Sequence, residues 1–161
     1  MKLRPYQERI IQALRVRYSR GLRRLVLVMA TGAGKTAVSR EMIRAALERG
    51  RRVIFVVDLD EVVDDTARGL QEDGIPCGII QAGKLYQEGL GCYVCSLQTL
   101  TARGLRPPAD LVILDECHCF AAALTLELLS AYPEAWHLGL TATPQRGDGT
   151  SLGTFYQEIV Q

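Results

Sequence analysis

The sequence predicts an α/β domain with a central, mostly parallel β-sheet and helices on both of its faces. Short apolar runs rich in β-branched residues alternate along the chain with stretches of helical spacing. Several of these runs are continuously apolar, which is typical of strands that are covered on both faces. Right-handed crossovers between parallel strands then place the intervening helices on the two sides of the sheet.

The elements follow in order from these patterns. Pro5 suits a first helical turn, and apolar residues recur after it at helical spacing. Two of the later helical stretches stop at a glycine, and the last ends before Pro133. The predicted helices after the first cover 35–49, 60–72 and 120–131. The predicted strands are the runs at 24–30, 52–58, 77–81, 92–96, 110–116 and 136–143.

Length and composition predict a single soluble domain over residues 1–161. A chain of this length buries roughly 68–70% of its unfolded surface, and 48% hydrophobic with 23% charged residues is ordinary for a globular protein. No apolar run approaches the ~20 residues of a membrane span, and no secretory signal is present. We therefore expect a cytoplasmic location and no membrane partner.

Charge is unevenly distributed although the net charge is only +1. Residues 1–24 carry eight basic side chains against one acid, whereas residues 58–73 carry seven acids against one arginine. Both segments are read as solvated helix faces, and the basic one has a second interpretation as a stripe that meets nucleic acid.

Five cysteines raise the question of a metal site or a disulfide. Cys92 and Cys95 have a spacing that zinc sites use, and His118 lies between Cys117 and Cys119. However, two residues three apart on a strand point to opposite faces, and a reduced, buried cysteine behaves as a small hydrophobe. Structural zinc and a disulfide are both disfavoured.

The stretch "MATGAGKT" (29–36) resembles a phosphate-binding loop in which Met29 replaces the usual first glycine. It follows an apolar strand and precedes a helix, so backbone N–H groups and the helix N-terminus can face phosphate oxygens. Lys35 would reach the β- and γ-phosphates, and Thr36 would offer its hydroxyl to Mg²⁺. The turn itself depends on Thr31, Gly32, Ala33 and Gly34. The alternative is a glycine-rich turn with an incidental lysine.

A second site feature is "LVILDECH" (111–118), an apolar strand that ends in two acids. Asp115 would hold Mg²⁺, and Glu116 would orient or deprotonate the water that attacks the γ-phosphate. His118 would report the state of the nucleotide to neighbouring groups. The alternative is an exposed acidic turn.

Together, "ATGAGKT" (30–36), "DECH" (115–118) and "TATP" (141–144) resemble motifs I, II and III of superfamily 2 helicases and translocases. "LRPYQ" (3–7) resembles their adenine-recognition segment, "FVVDLDEVVDDT" (55–66) aligns with motif Ia, and "VCSLQTL" (94–100) resembles motif Ib. "GLTATPQRGDG" (139–149) is similar to the DEAH-like branch with repair, phage and restriction-type enzymes. The resemblance covers essentially the whole chain.

The resemblance implies a RecA-like P-loop NTPase domain that uses ATP and Mg²⁺. Arg4 and Gln7 would contact adenine, although Gln7 has an alternative interpretation as a surface residue of the first helix. Thr141 and Thr143 would couple hydrolysis to movement through a hydrogen bond with the Asp115–His118 loop, or would simply end a strand.

Motif Ia departs from the family pattern. The family has Pro-Arg near the strand end, where this chain has Asp58 and Leu59. Carboxylates of Asp58 and Asp60 would repel phosphates if they face the nucleic acid. The remaining candidates for nucleic-acid contact are Thr99, Arg103 and Arg146.

The family holds ATP between two RecA-like domains, and the second carries an arginine finger worth roughly 10³–10⁵ in rate. Residues 1–161 contain no such second domain, so it is expected in cis or in trans. The implied function is the N-terminal ATP-binding domain of a nucleic-acid-dependent ATPase, weakly active alone, with DNA favoured over RNA. The alternative is a non-catalytic, stand-alone module that binds nucleotide or a partner. A small-molecule kinase fits poorly, because "TATP" would then have no role.

Overall fold

Helices and strands alternate along the chain in the order that the sequence predicts. The structure, a computed structural model, describes residues 2–146, 149 and 151–161. The helices are α1 (Pro5–Ser19), α2 (Lys35–Glu48), α3 (Val63–Glu72), α4 (Leu97–Arg103) and α5 (Ala122–Ala131). The strands are β1 (Arg24–Val28), β2 (Val53–Val57), β3 (Gly78–Ile80), β4 (Cys92–Ser96), β5 (Leu111–Leu114), β6 (Trp136–Thr141) and β7 (Glu158–Val160).

All seven strands form one parallel sheet in the order β3-β4-β2-β5-β6-β1-β7. Among the described residues, the antiparallel pairing is confined to an isolated bridge between Gln145 and Ser151. The predicted α/β class is therefore confirmed. Because the strands run in one direction, the loops after β1, β2, β5 and β6 meet at one edge of the sheet, where ligands bind in such folds.

The sheet is covered on both faces, as the continuously apolar strands require. Helices α1, α2 and α3 pack on one face, with Leu14, Ile43 and Ala67 in its core. Helices α4 and α5 pack on the other face. Cys92 belongs to the first core and Cys95 to the second, so their thiols lie on opposite sides of the sheet.

Two elements were missed by the sequence prediction, and one predicted helix is divided. Ser96 caps the N-terminus of α4, and its hydroxyl accepts a hydrogen bond from the Thr99 N–H at 3.1 Å. Gly104, with a φ of 60°, caps the C-terminus. Strand β7 is a short edge strand that pairs with β1. The predicted helix at 60–72 is a 3-10 turn (Asp60–Val62) followed by α3.

In the described part of the chain, no helix combines the length and the apolar character that crossing a membrane would require.

Candidate nucleotide-binding site

The glycine-rich loop connects β1 to the N-terminus of α2. Met29 is buried, and its N–H continues the sheet pairing by donating to the Thr141 carbonyl at 2.9 Å. The turn comes after it, where Gly32 and Gly34 have φ values of 80° and 99° that favour glycine. The glycine of the usual pattern is not needed at position 29, because that residue still belongs to the sheet.

The N-terminal helix rests directly on this loop. A Cβ atom at Gly34 would lie 2.1 Å from Nε2 of Gln7, so the two residues are in close contact. Gln7 is only 5% exposed, and its Oε1 accepts a hydrogen bond from the Arg4 N–H at 2.8 Å. The Tyr6 hydroxyl donates to the Ala33 carbonyl. The interpretation of Gln7 as a surface residue is therefore wrong, and Tyr6 is a loop contact that the sequence reasoning missed.

A cavity of about 460 Å³ opens over the loop at the carboxyl edge of the sheet. It brings together the two motifs that the sequence separates by about eighty residues. Its lining includes Thr31, Gly32, Gly34, Lys35 and Thr36 from the loop, with Asp115 and Glu116 from the end of β5. Ala33 lies within the same loop, and Arg4 is exposed at the start of α1.

The acidic pair faces the lysine of the loop. Nζ of Lys35 donates to Oε1 of Glu116 at 3.1 Å, and the Lys35 side chain is 12% exposed. Glu116 has a φ of 48°, and it is the only non-glycine residue of the described chain with a positive φ. Its N–H donates to Oδ1 of Asp115 at 3.1 Å. The sharp turn directs two consecutive acids into one cavity.

The Asp115 carboxyl is electrostatically unfavourable in this position. Burial, and then the neighbouring charge of Glu116, raise its pKa, and the Glu116 N–H and Lys35 only partly oppose this. An ionised Asp115 thus costs free energy in the folded state.

The substitution Asp115→Asn is expected to raise the melting temperature of the protein without nucleotide at neutral pH by a few degrees. In a domain of this size, 1 kcal/mol of stability corresponds to about 2–4 °C. A raised folded-state pKa means that the protonated form is favoured, so the cost is absent below the unfolded pKa and complete above the folded pKa. The gain should therefore disappear in acid. Thermal unfolding between pH 3 and 8 measures it.

Asp65→Asn is the matched control, because Asp65 is exposed on α3 and its removal changes the net charge equally. An equal rise in melting temperature for both variants would contradict a local cost at Asp115.

His118 joins the acidic turn to the "TATP" segment. Its Nδ1 lies 2.7 Å from Oγ1 of Thr141 and 3.5 Å from Oε2 of Glu116. The Thr141 hydroxyl donates to the Thr143 carbonyl at 2.9 Å and accepts from the Thr143 N–H at 2.9 Å. Because the hydroxyl has a single proton, His118 Nδ1 is the donor in the His118–Thr141 contact. The expected link between motifs II and III is present as a hydrogen bond.

The three candidates for nucleic-acid contact differ in exposure. Thr99 is 5% exposed and donates to Oδ1 of Asp60 at 2.9 Å. Arg146 is 4% exposed, donates to the Phe120 carbonyl, and places its guanidinium 4.7 Å from the Phe155 ring centroid. Burial argues against the predicted contact at both residues. Arg103 is exposed and donates to the Lys84 carbonyl at 3.1 Å. Residues 147 and 148 of the neighbouring predicted loop lie outside the described residues.

Asp60 of the aligned motif Ia has a structural role that the sequence did not reveal. Its Oδ1 accepts from the hydroxyls of Ser96 at 2.8 Å and Thr99 at 2.9 Å. Its carbonyl accepts from Nε2 of Gln81 at 2.8 Å. Asp60 therefore ties the ends of β2, β3 and β4 together, and its carboxylate is directed into the protein.

Comparison with known proteins decides the family. Residues 1–146 match the family model described as type III restriction enzyme, res subunit. The chain belongs to this family. The resemblance to superfamily 2 helicases and translocases is confirmed, because relatives and structural neighbours are of that kind.

Individual members of this wider group resemble the chain along most of its length. A type I restriction enzyme EcoAI endonuclease subunit of Escherichia coli is 28% identical over 174 residues, which cover 98% of this chain and 21% of that protein. A DNA 3'-5' translocase of Sulfurisphaera tokodaii is 28% identical over 149 residues, 92% of this chain and 32% of that protein. The UvsW helicase of bacteriophage T4 superimposes with a TM-score of 0.80 at 18% identity, over 99% of this chain and 60% of that chain. The chain spans about a fifth to a third of the length of the curated relatives that it matches.

Proposed function

We propose that this res-subunit domain is the first ATP-binding domain of a DNA helicase or translocase that couples ATP hydrolysis to movement on nucleic acid. The observation that carries the proposal is the contact chain from Lys35 through Glu116 and His118 to Thr141. It connects a phosphate-binding loop to a candidate base and then to the motif III segment.

ATP binding is assigned to the loop and the N-terminal segment. The N–H groups of residues 32–36 and the N-terminus of α2 face the phosphates, and Lys35 binds the β- and γ-phosphates. Arg4 and Gln7 contact adenine. The close packing of Gln7 on Gly34 supports this, because it places the adenine segment beside the loop.

Thr36 and Asp115 are the residues that would hold Mg²⁺. Oxygen ligands suit this ion, and both residues line the cavity. The raised pKa of Asp115 fits a carboxylate that Lys35 and the Glu116 N–H balance only in part, and that a bound cation would balance further. When bound, Mg²⁺ would neutralise the charge that develops on the β- and γ-phosphates.

Hydrolysis is assigned to Glu116 as the base that accepts a proton from the attacking water. Nζ of Lys35 donates a hydrogen bond to Oε1 of Glu116. Phosphate bound by Lys35 would compete with this ion pair, and the Glu116 carboxylate would then be free to accept the proton. His118 contacts both Glu116 and Thr141, and it would transmit the change to Thr143 and the segment beyond.

Movement on nucleic acid requires a second RecA-like domain, in cis or in trans, that supplies the arginine finger. The larger size of the relatives supports this requirement, and a DNA translocase among them supports DNA as the substrate. On this proposal residues 1–161 alone bind MgATP weakly and turn it over slowly.

The test measures the melting temperature of residues 1–161 with and without MgATP, and ATPase activity with single- and double-stranded DNA and RNA. We expect stabilisation by MgATP and slow turnover that DNA does not stimulate. Absence of stabilisation would refute a nucleotide-binding domain. Strong DNA-stimulated turnover by residues 1–161 alone would refute the need for a second domain. A protein that includes that domain should respond to DNA more than to RNA.

A further inference from the structure

A second cavity, of about 340 Å³, lies between α1 and α2 at the amino edge of the sheet. Leu111 and Trp136, which begin β5 and β6, line it, whereas the nucleotide cavity lies beyond the carboxyl ends of the strands. Its wall is mainly apolar, and it is bordered by arginines. The apolar and aromatic members are Tyr18, Met42, Ala45, Ala46, Leu111 and Trp136, and the basic ones are Arg15, Arg49 and Arg51.

Trp136 lines this pocket and makes several aromatic contacts. The Tyr18 ring meets it edge-on, with centroids 6.3 Å apart. The guanidinium carbons of Arg23 and Arg51 lie 5.0 and 5.5 Å from its ring centroid. Within the described residues its Nε1 is buried and has no hydrogen-bond acceptor. The indole therefore contributes an aromatic surface flanked by guanidinium groups, and its buried N–H plays no part in recognition.

The arginines at the border are short of negative charge. Among the described residues, no carboxylate lies within 4.0 Å of the guanidinium groups of Arg49 or Arg51, and Arg49 donates to the Ala45 carbonyl at 3.1 Å. Arg15 is 3.8 Å from Glu41, and that carboxylate is shared with Arg44 at 3.0 Å. An anionic partner would relieve this excess of positive charge and would satisfy the guanidinium forks.

We propose that this pocket docks a segment of a partner protein that carries an apolar anchor side chain flanked by carboxylates. The anchor would fill the apolar wall, and the carboxylates would pair with Arg49 and Arg51. Tryptophan, tyrosine and arginine are the side chains that contribute most to binding at protein interfaces. A nucleic-acid backbone fits less well, because evenly spaced phosphates would leave the apolar wall uncovered.

The test uses the single tryptophan of the chain as its reporter. Blocked peptides with Leu, Phe or Met between runs of Asp and Glu are titrated into residues 1–161 while Trp136 fluorescence is followed. We expect saturable binding that weakens as the salt concentration rises. The same peptides with Ser in place of the apolar anchor should bind at least about tenfold more weakly, because Ser leaves the apolar wall of the pocket unfilled.

Two variants probe the site from different sides. Arg49→Glu reverses the charge at the border, and Ala46→Gln fills the apolar wall without adding charge. Both should weaken binding about tenfold or more. Arg20→Glu is the matched control, because Arg20 caps the end of α1 as Arg49 caps the end of α2, but it does not line the cavity. The Arg20→Glu variant should bind the peptides with the affinity of the unmodified protein.

Several outcomes would overturn the proposal. These are no saturable response to any of the peptides, equal affinity for the Ser peptides, or an equal effect of Arg20→Glu. An oligothymidylate that binds more tightly than the peptides, with the same dependence on Arg49, would assign the pocket to nucleic acid instead. Lys35→Ala should leave peptide binding unchanged, so failure here is separable from failure of the proposed ATP site.

Discussion

Replacing Lys35 by alanine is expected to weaken MgATP binding by about 10- to 100-fold, because a hydrogen bond to a charged group contributes ~1.5–3 kcal/mol. Lys35 is held at the N-terminus of α2 with its side chain 12% exposed, so water screens its charge poorly. Its ammonium group is the point charge that faces the β- and γ-phosphates in the proposed site. Calorimetric titration with MgATP and with MgADP measures the effect, which should be larger for the triphosphate.

The fold should survive this substitution. Lys35 has Glu116 as its ion-pair partner, and that carboxylate is 45% exposed, so losing the pair costs little. Lys84→Ala is the matched control, because Lys84 also forms one ion pair, with Asp64, but lies on the surface. Equal MgATP affinity in Lys35→Ala and the unmodified protein would refute the phosphate-loop assignment.

The parts of the site that sequence could predict are those that local pattern determines. A buried strand that runs into small residues and then into a helix leaves little choice of backbone path, so the loop at 29–36 was predictable. The same holds for Asp115 and Glu116, which follow four consecutive apolar residues of β5. Their meeting in one cavity follows from parallel strands that end at the same edge of the sheet.

The contacts that the sequence did not reveal join segments far apart in the chain. The Tyr6 hydroxyl donates a hydrogen bond to the Ala33 carbonyl, 27 positions along the chain, and Gln7 packs on Gly34. Both contacts form because the first turn of α1 lies against the loop. No periodicity in either segment encodes that crossing. Strand β7 was missed for a related reason, since its three residues are defined by pairing with β1 rather than by their own pattern.

Charged residues were the least predictable. Arg146 was a plausible phosphate ligand by type, yet it is buried against Phe120 and Phe155. Asp60 was a plausible source of repulsion for phosphates, yet its carboxylate accepts hydrogen bonds from the Ser96 and Thr99 hydroxyls. The charge of a side chain does not determine whether it faces solvent or the protein interior, because both water and a buried polar partner can satisfy its hydrogen bonds.

Glu116→Gln is expected to lower ATP turnover by about 10²–10⁴-fold, the usual contribution of a general base. The amide keeps the size of the carboxylate and can still accept a hydrogen bond from Lys35, so the loop geometry should persist. It cannot take the proton of the attacking water. Turnover should be measured in a protein that includes the second domain, together with nucleotide affinity in residues 1–161.

Glu127→Gln is the matched control, because Glu127 is 46% exposed on α5 and pairs with Arg106 outside the cavity. Unchanged turnover in Glu116→Gln would place the base elsewhere. Affinity provides the sharper contrast with Lys35→Ala. In the unmodified protein the phosphates must displace a full carboxylate from Lys35, whereas in Glu116→Gln they displace only a neutral amide. Glu116→Gln should therefore bind MgATP at least as tightly as the unmodified protein, and a clear loss of affinity would mean that Glu116 holds the nucleotide rather than activates water.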